Sequence, residues 1–290
     1  METVTAYKYC ERIAKNHYEN FPVASFLVPK AKRKYIYAIY SFAREADDIA
    51  DSNSMTQREK LNLLDEYENI LKNDITEYES IKYDAIFTAI KDTLIELKIP
   101  VNELTNLLKA FKFDVRNEIH EDFKSLLDYS ENSANPIGHL MLYVNGFNPE
   151  LNKKHFELSD KICTALQLTN FWQDISQDLK TGRIYIPRQF MKEFNYTYED
   201  LKIRLYNENF RKMIEELCKR TMQLYKEGKE LVNMLEGRLK FELKAIYFGG
   251  TGVLKKIEEI DFDVLNYRVK FTNLEKIFLF IKSFLCKVKR

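Results

Sequence analysis

The sequence predicts an all-α chain, and three observations carry that prediction. The 290 residues include only 8 Gly and 6 Pro. The stretches between them are rich in Leu, Lys, Glu, Ile and Ala, which favour helix. Apolar residues recur along them at intervals of three and four, the spacing of a helix that buries one face.

Taken in order, Pro22 and Pro29 punctuate the opening, and neither Pro nor Gly returns before Pro100. Across 35–50, Ile36, Ile39, Ala43, Ala46 and Ala50 fall on one helical face. Similar spacing predicts helix within 56–73, 84–98, 101–119, 123–145, 152–179, 199–235, 238–258 and 262–286. The total is about nine or ten helices. No Ser/Gly-rich linker, repeat or shift of composition divides the chain, so a single domain over 1–290 is expected.

Composition narrows the function. With 45% hydrophobic and 31% charged residues the chain is long enough to bury a core, and disorder is excluded. Lys and Arg total 45 against 44 Asp and Glu, a net charge of +1, so no global field holds a nucleic acid and any anion must meet a local site. Cys10, Cys163, Cys218 and Cys286 form no C-x-x-C pair, which argues against zinc or a disulfide framework and for a reducing cytoplasm. The charged opening METVTAYKYCERIAKNHYENF is expected to be mature sequence rather than a secretory leader. No stretch has the roughly 18 to 20 apolar residues of a membrane span.

Two segments depart from the rule that charges point outward. In YIYAIYSFAREADDIAD the line Ile36, Tyr40, Ala43, Asp47, Asp51 begins apolar and ends in carboxylates, with Asp48 beside it. In CTALQLTNFWQDISQDLKTGRIYIP the line Cys163, Gln167, Asn170, Asp174, Asp178 repeats the arrangement. Each acidic pair is four residues apart, about 6 Å of rise on one face. Such like-charge pairs destabilise a helix by about 0.2 to 0.5 kcal/mol each, so a cation should compensate them. One D-x-x-x-D alone reads as solvated acids paired with neighbouring Lys and Arg. Two copies, each with an inward polar line and a nearby Arg (Arg44, Arg183), point instead to Mg²⁺, which takes oxygen ligands and completes its shell with water and substrate phosphate. Two facing acidic helices would then grip a diphosphate.

These residues resemble the squalene/phytoene synthases, helical prenyl-diphosphate enzymes with two aspartate-rich motifs. The resemblance covers nearly the whole chain: HYENFPVASFLVP is similar to the opening substrate segment, AIYSFAREADDIAD to the first acidic motif and QLTNFWQDISQDLKTGRIYIP to the second. It implies a class I isoprenoid synthase bundle with a central cavity. It implies Asp47, Asp48, Asp51, Asn170, Asp174 and Asp178 as the catalytic set, and all but Asp48 as Mg²⁺ ligands. For substrate it implies His17, Tyr40, Arg44, Gln167, Arg183 and Tyr185, with Arg268 and Lys276 as weaker transfers. Within the family, NFPVASFLVP, SANPIG and ALQLTNFWQD are most similar to the members that ionise presqualene diphosphate and let water capture the rearranged cation, giving hydroxysqualene. Two departures fit that branch. Members that condense two farnesyl diphosphates usually carry Tyr before A-G-x-V-G, where this chain has Glu131 to Gly138 (ENSANPIG), and Arg before the second motif's first Asp, where it has Gln173.

The implied chemistry releases diphosphate and leaves a carbocation, whose natural surroundings are aromatic faces and walls that exclude nucleophiles. The 20 Phe and 18 Tyr suffice for that, although most belong to ordinary core. Gly249-Gly250-Thr251-Gly252 lacks a βαβ context and reads as close helix packing or a kink, so no NAD(P)H is expected and water is the nucleophile. His120, His139 and His155 read as structural. Residues 275–290, which contain KIFLFIKSFLCKVKR, read either as a membrane-surface helix, with Phe278, Ile281, Phe284 and Leu285 in the interface and Lys282, Lys287, Lys289 and Arg290 on lipid phosphates, or as a last helix packed on the core. Expected partners are an isoprenoid diphosphate, the inner face of the membrane and neighbouring squalene-pathway enzymes, with no nucleic acid. Two alternatives stand: head-to-head condensation to presqualene diphosphate, squalene, dehydrosqualene or phytoene, and a non-catalytic membrane-associated assembly factor with the same fold.

Overall fold

The computed structural model describes residues 1–16, 28–73 and 81–285. It is helical throughout, with no strand among the described residues. The chain forms two compact units, Met1–Arg116 with Pro136–Phe156, and Asn117–Asn135 with Glu157–Arg290.

The first unit contains α1 (Thr3–Asn16), α2 (Lys30–Asp51), α3 (Gln57–Lys72), α4 (Ile81–Leu97), α5 (Asn102–Arg116) and nearly all of α7 (Asn135–Val144). Helix α2 begins after Pro29, whose φ of −55° and ψ of 140° place it just outside the helix as its N-cap. It packs on α1, α3, α4 and α5, burying Ile36, Ile39, Phe42, Ala46, Ile49 and Ala50. Phe42, Tyr67 and Phe87 make an aromatic cluster with ring centroids 4.6 to 6.1 Å apart. Helix α3 starts with a capping box in which Thr56 and Glu59 satisfy each other's backbone N–H groups at 2.7 and 3.3 Å.

The second unit contains α6 (Phe123–Ser133), most of α8 (Pro149–Asp178), a 3₁₀ turn (Leu179–Thr181), α9 (Arg188–Glu193), α10 (Tyr198–Lys202), α11 (Glu208–Gly228), α12 (Glu230–Met234), α13 (Gly237–Glu259) and α14 (Asn273–Leu285). Trp172 of α8 is fully buried and donates its indole N–H to Thr221 Oγ1 of α11 at 2.8 Å, while Thr221 donates to the Leu217 carbonyl at 2.8 Å. A Cβ at Gly250 would lie 1.9 Å from Tyr225 Oη, so this glycine permits close approach of α13 to α11, the packing reading made from the sequence.

Two expected helices are subdivided and a third is shortened. The segment 123–145 breaks at Ala134 because Pro136 has no N–H to donate and its ring opposes a continuing helix. The segment 199–235 contains a left-handed residue, Arg204 at φ 54°, and a new N-cap, where Asn207 accepts from the Phe210 N–H at 2.9 Å. The segment 262–286 is helical only from Asn273; the positive φ of Asp261 and Phe262, 53° and 62°, turns the chain away at the end of α13. Helices α1 and α9 fall outside the predicted spans.

Candidate functional site

The first acidic motif lies on α2. Ile36 and Ile39 anchor its inner face, and one to three turns later the same stripe reaches half-buried Tyr40, Arg44 and Asp47 and exposed Asp48 and Asp51. Arg44 bridges two of the acids, donating to Asp47 Oδ2 at 3.3 Å and Asp48 Oδ1 at 2.5 Å. Its third nitrogen, Nε, is buried and has no hydrogen-bond partner among the described residues. Burial raises the Tyr40 phenol pKa; Arg44 opposes that shift, and Asp48 and Asp47 add to it. Glu45, one residue from this group, points the other way: it is buried and paired with Lys82.

The second motif lies on α8. Gln167, Asp174 and Asp178 are half-buried and Asn170 is exposed. Arg268 forks onto Asp174, with Nε to Oδ1 at 2.7 Å and the terminal nitrogen to Oδ2 at 2.9 Å, the bidentate geometry that suits guanidinium and carboxylate. Gln173 donates its amide to the Val269 carbonyl at 2.7 Å and so ties down the segment that carries Arg268. After Asp178 the chain turns through Gly182, whose φ of 78° favours glycine, and the Arg183 N–H returns to the Asp178 carbonyl at 2.9 Å. Asp178, Arg183 and Tyr185 thereby line one hollow of about 10 Å³, room for a single water. Tyr185 stacks on Phe171 with ring centroids 3.7 Å apart and planes at 9°, and Tyr129 lies beside both.

The structure thus groups Tyr40, Arg44, Asp47, Asp48 and Asp51 on α2, and Asp174, Asp178, Arg183, Tyr185 and Arg268 around the end of α8. Lys276 is exposed on α14 and has no hydrogen bond or ion pair to another site residue among the described residues. His17 lies outside the described residues. The other histidines are structural: His139 meets the buried Glu103 carboxylate at 3.0 Å, His155 packs on Phe147, and burial lowers the His120 pKa to about 4. The role of Gln173 toward Val269 was not legible in the sequence, because its partner is a backbone carbonyl.

Among the described residues no three His, Cys, Asp or Glu side chains converge into a ready-made metal cage. The donors on each helix are nonetheless oxygens throughout, carboxylates with the Asn170 amide, and they match a hard cation that completes its shell from substrate phosphate. The residues therefore fit Mg²⁺ by donor chemistry.

Comparison with known proteins establishes the family. A family model described as squalene/phytoene synthase matches residues 14–275. The hydroxysqualene synthase of Rhodopseudomonas palustris is 31% identical over 254 residues, 86% of this chain and 83% of that protein. That of Zymomonas mobilis is 34% identical over 213 residues, 72% of this chain and 68% of that protein. The crystal structure described as squalene synthase HpnC from Alicyclobacillus acidocaldarius superposes with a TM-score of 0.81 at 31% identity, covering 90% of this chain and 95% of that one. The chain belongs to the squalene/phytoene synthase family.

Proposed function

We propose that this chain is a Mg²⁺-dependent isoprenoid synthase that converts presqualene diphosphate and water into hydroxysqualene and diphosphate. The observation that carries the reading is Gln173. By the family resemblance, condensing members usually place Arg here; this chain places a neutral amide that is spent on the Val269 carbonyl, leaving Arg268 as the cation on Asp174. Fewer cations at the second motif suit one diphosphate rather than two. The names of the two bacterial relatives support the same choice.

In this reaction the C–O bond to diphosphate breaks and its electron pair leaves with the diphosphate. Water then forms the new C–O bond and loses its proton to solvent. No electron donor enters, so NAD(P)H has no role. When bound, Mg²⁺ would be held by Asp47, Asp51, Asn170, Asp174 and Asp178 and would neutralise charge growing on the leaving group. Arg44 orients Asp47 and Asp48, and Arg268 orients Asp174. Arg183 is set by the Gly182 turn, where its charge can also meet a phosphate. Phe171, Tyr185 and Tyr129 offer ring faces of the kind a carbocation prefers.

A condensing reading is favoured by one observation, the description of the Alicyclobacillus structure as a squalene synthase. Incubating the purified protein and Mg²⁺ separately with farnesyl diphosphate and presqualene diphosphate, then extracting the lipids, separates the two: an alcohol from presqualene diphosphate alone supports hydration, and products from farnesyl diphosphate support condensation.

We further infer that the chain binds an anionic membrane surface through α14. No helix among the described residues is long and apolar enough to cross a membrane. Instead α14 docks by its polar side: Glu275 pairs with Lys256 at 2.6 Å, Lys244 donates to the Ser283 carbonyl at 3.0 Å, and Lys282 lies over the Phe248 ring at 4.7 Å. Leu274, Ile277, Phe278 and Ile281 form the opposite stripe and are 47 to 79% exposed, while Phe284 stacks on Phe241 with ring centroids 4.5 Å apart. This argues against a helix that completes the core, and Lys282 packs on protein rather than pointing outward as the sequence suggested. Residues 270–290 hold six Lys or Arg and one Glu, which complements a negative surface. Lys287, Lys289, Arg290 and the Leu285 side chain lie outside what the structure describes.

A further inference from the structure

The first unit holds a second feature that the proposed reaction does not use. Between α1 and the start of α2 lies an open cavity of about 500 Å³, within the size range of small-ligand sites. Lys8, Lys15, Lys30, Arg33 and Lys34 line it, against a single acid among the described residues, Glu11. Glu11 is already paired with Lys15 at 2.7 Å. Lys8, Lys30, Arg33 and Lys34 have no carboxylate partner among the described residues.

Like charges around one concavity repel, and a protein surface normally intersperses them with acids. Here the cations are also directed by their neighbours. Arg33 Nε donates to the Val28 carbonyl at 3.0 Å, which fixes one edge of the guanidinium. Lys34 Nζ sits over the Tyr7 and Tyr35 rings, 4.8 and 4.6 Å from their centroids. Tyr7 is itself immobilised, with its hydroxyl donating to Asp92 Oδ2 at 2.8 Å and meeting Thr93 Oγ1 at 2.9 Å. Val4 and Tyr37 add apolar lining. Along α2, Arg33 and Asp47 are fourteen residues apart, about 21 Å at 1.5 Å per residue, so this cavity does not share the acidic motif's donors.

We propose that this cavity binds a phosphate-bearing anion. Guanidinium and ammonium groups recognise phosphate oxygens by charge-assisted hydrogen bonds, and the tyrosine and valine surface accommodates the less polar part of such a ligand. The phosphate belongs either to a soluble molecule or to a lipid headgroup. The proposal does not depend on the identity of the reaction.

The test compares the full-length protein with a Lys8→Gln/Lys30→Gln variant. Both lysines are exposed and have no acid partner among the described residues, so the melting temperature should stay within about 2 °C of the parent. Calorimetric titration with inorganic diphosphate in EDTA probes the soluble source. Flotation with phosphatidylglycerol vesicles, against phosphatidylcholine vesicles, probes the lipid source. The double variant is expected to lose about tenfold in affinity for at least one probe, and Glu11→Gln, which removes the acid of the lining, to gain affinity for the same one. Weakening toward diphosphate identifies a soluble ligand, and weakening toward the vesicles a headgroup. Binding by the double variant equal to the parent's for both probes, or no binding of either probe by the parent, would overturn the proposal.

Discussion

Arg268 and Asp174 are 94 positions apart in sequence and meet in a two-pronged ion pair, at 2.7 and 2.9 Å. Both side chains keep about a third of their surface exposed, so the pair contributes at most about 1 kcal/mol to stability. It places a guanidinium on the first acid of the second motif, with Gln173 holding the next backbone carbonyl.

It follows that Arg268→Ala should lower kcat/KM for presqualene diphosphate by about 10²-fold, the scale of one lost electrostatic contact in a transition state, while the melting temperature moves by only a few degrees. Gln173→Ala should give a smaller loss in the same direction. Steady-state kinetics beside a thermal melt checks both, and unchanged kinetics in both variants contradicts the positioning role.

Asp47→Asn and Asp174→Asn each remove one carboxylate charge from an oxygen-donor motif. Turnover should fall by at least about 10²-fold with the helical circular dichroism preserved. EDTA should abolish parent activity and excess Mg²⁺ restore it. Near-parent turnover in both variants would remove the acidic motifs from the mechanism.

Gly250→Ala tests the packing of the second unit. The new methyl would meet Tyr225 Oη at 1.9 Å, and Tyr225 is fully buried and bonded to Thr169 Oγ1 at 3.1 Å. Neither side has room to yield, so a destabilisation of about 1 to 3 kcal/mol is expected in urea unfolding. A stability equal to the parent's would mean that α13 does not approach α11 this closely.

For α14, Phe278→Ser with Ile281→Ser changes only exposed side chains and should leave the melting temperature within about 2 °C of the parent. Flotation with anionic vesicles should fall sharply, and parent binding should weaken with salt. Deleting everything after Asn273 should abolish flotation and also lower the melting temperature, because it uncovers Phe241 and Phe248. Unchanged flotation in the serine variant would exclude the membrane reading.

How much of this was legible in the sequence depends on the range of the interaction. The stripes of α2 and α8 were readable because a helix repeats every 3.6 residues and the acids extend an apolar line. Pro136 announced a break that the apolar spacing of 123–145 concealed. Arg204 carries no marker for positive φ, so the end of α10 could not be read, whereas the expected end of α13 at 258 lies within one residue of the observed Glu259. Helix α1 carries Ala6, Tyr7, Cys10 and Ile13 at helical spacing, a signal the predicted spans leave out. The Arg268 fork and the Gln173 contact are tertiary, made by segments distant in sequence, and one ends on a carbonyl that any residue supplies.

The central claim is that water, rather than a second prenyl chain or a hydride, completes the reaction. Purified protein with Mg²⁺ and presqualene diphosphate in ¹⁸O-labelled water, without any nicotinamide, should yield an alcohol with the label in its hydroxyl. Formation of squalene only on adding NADPH, with no alcohol, would contradict it.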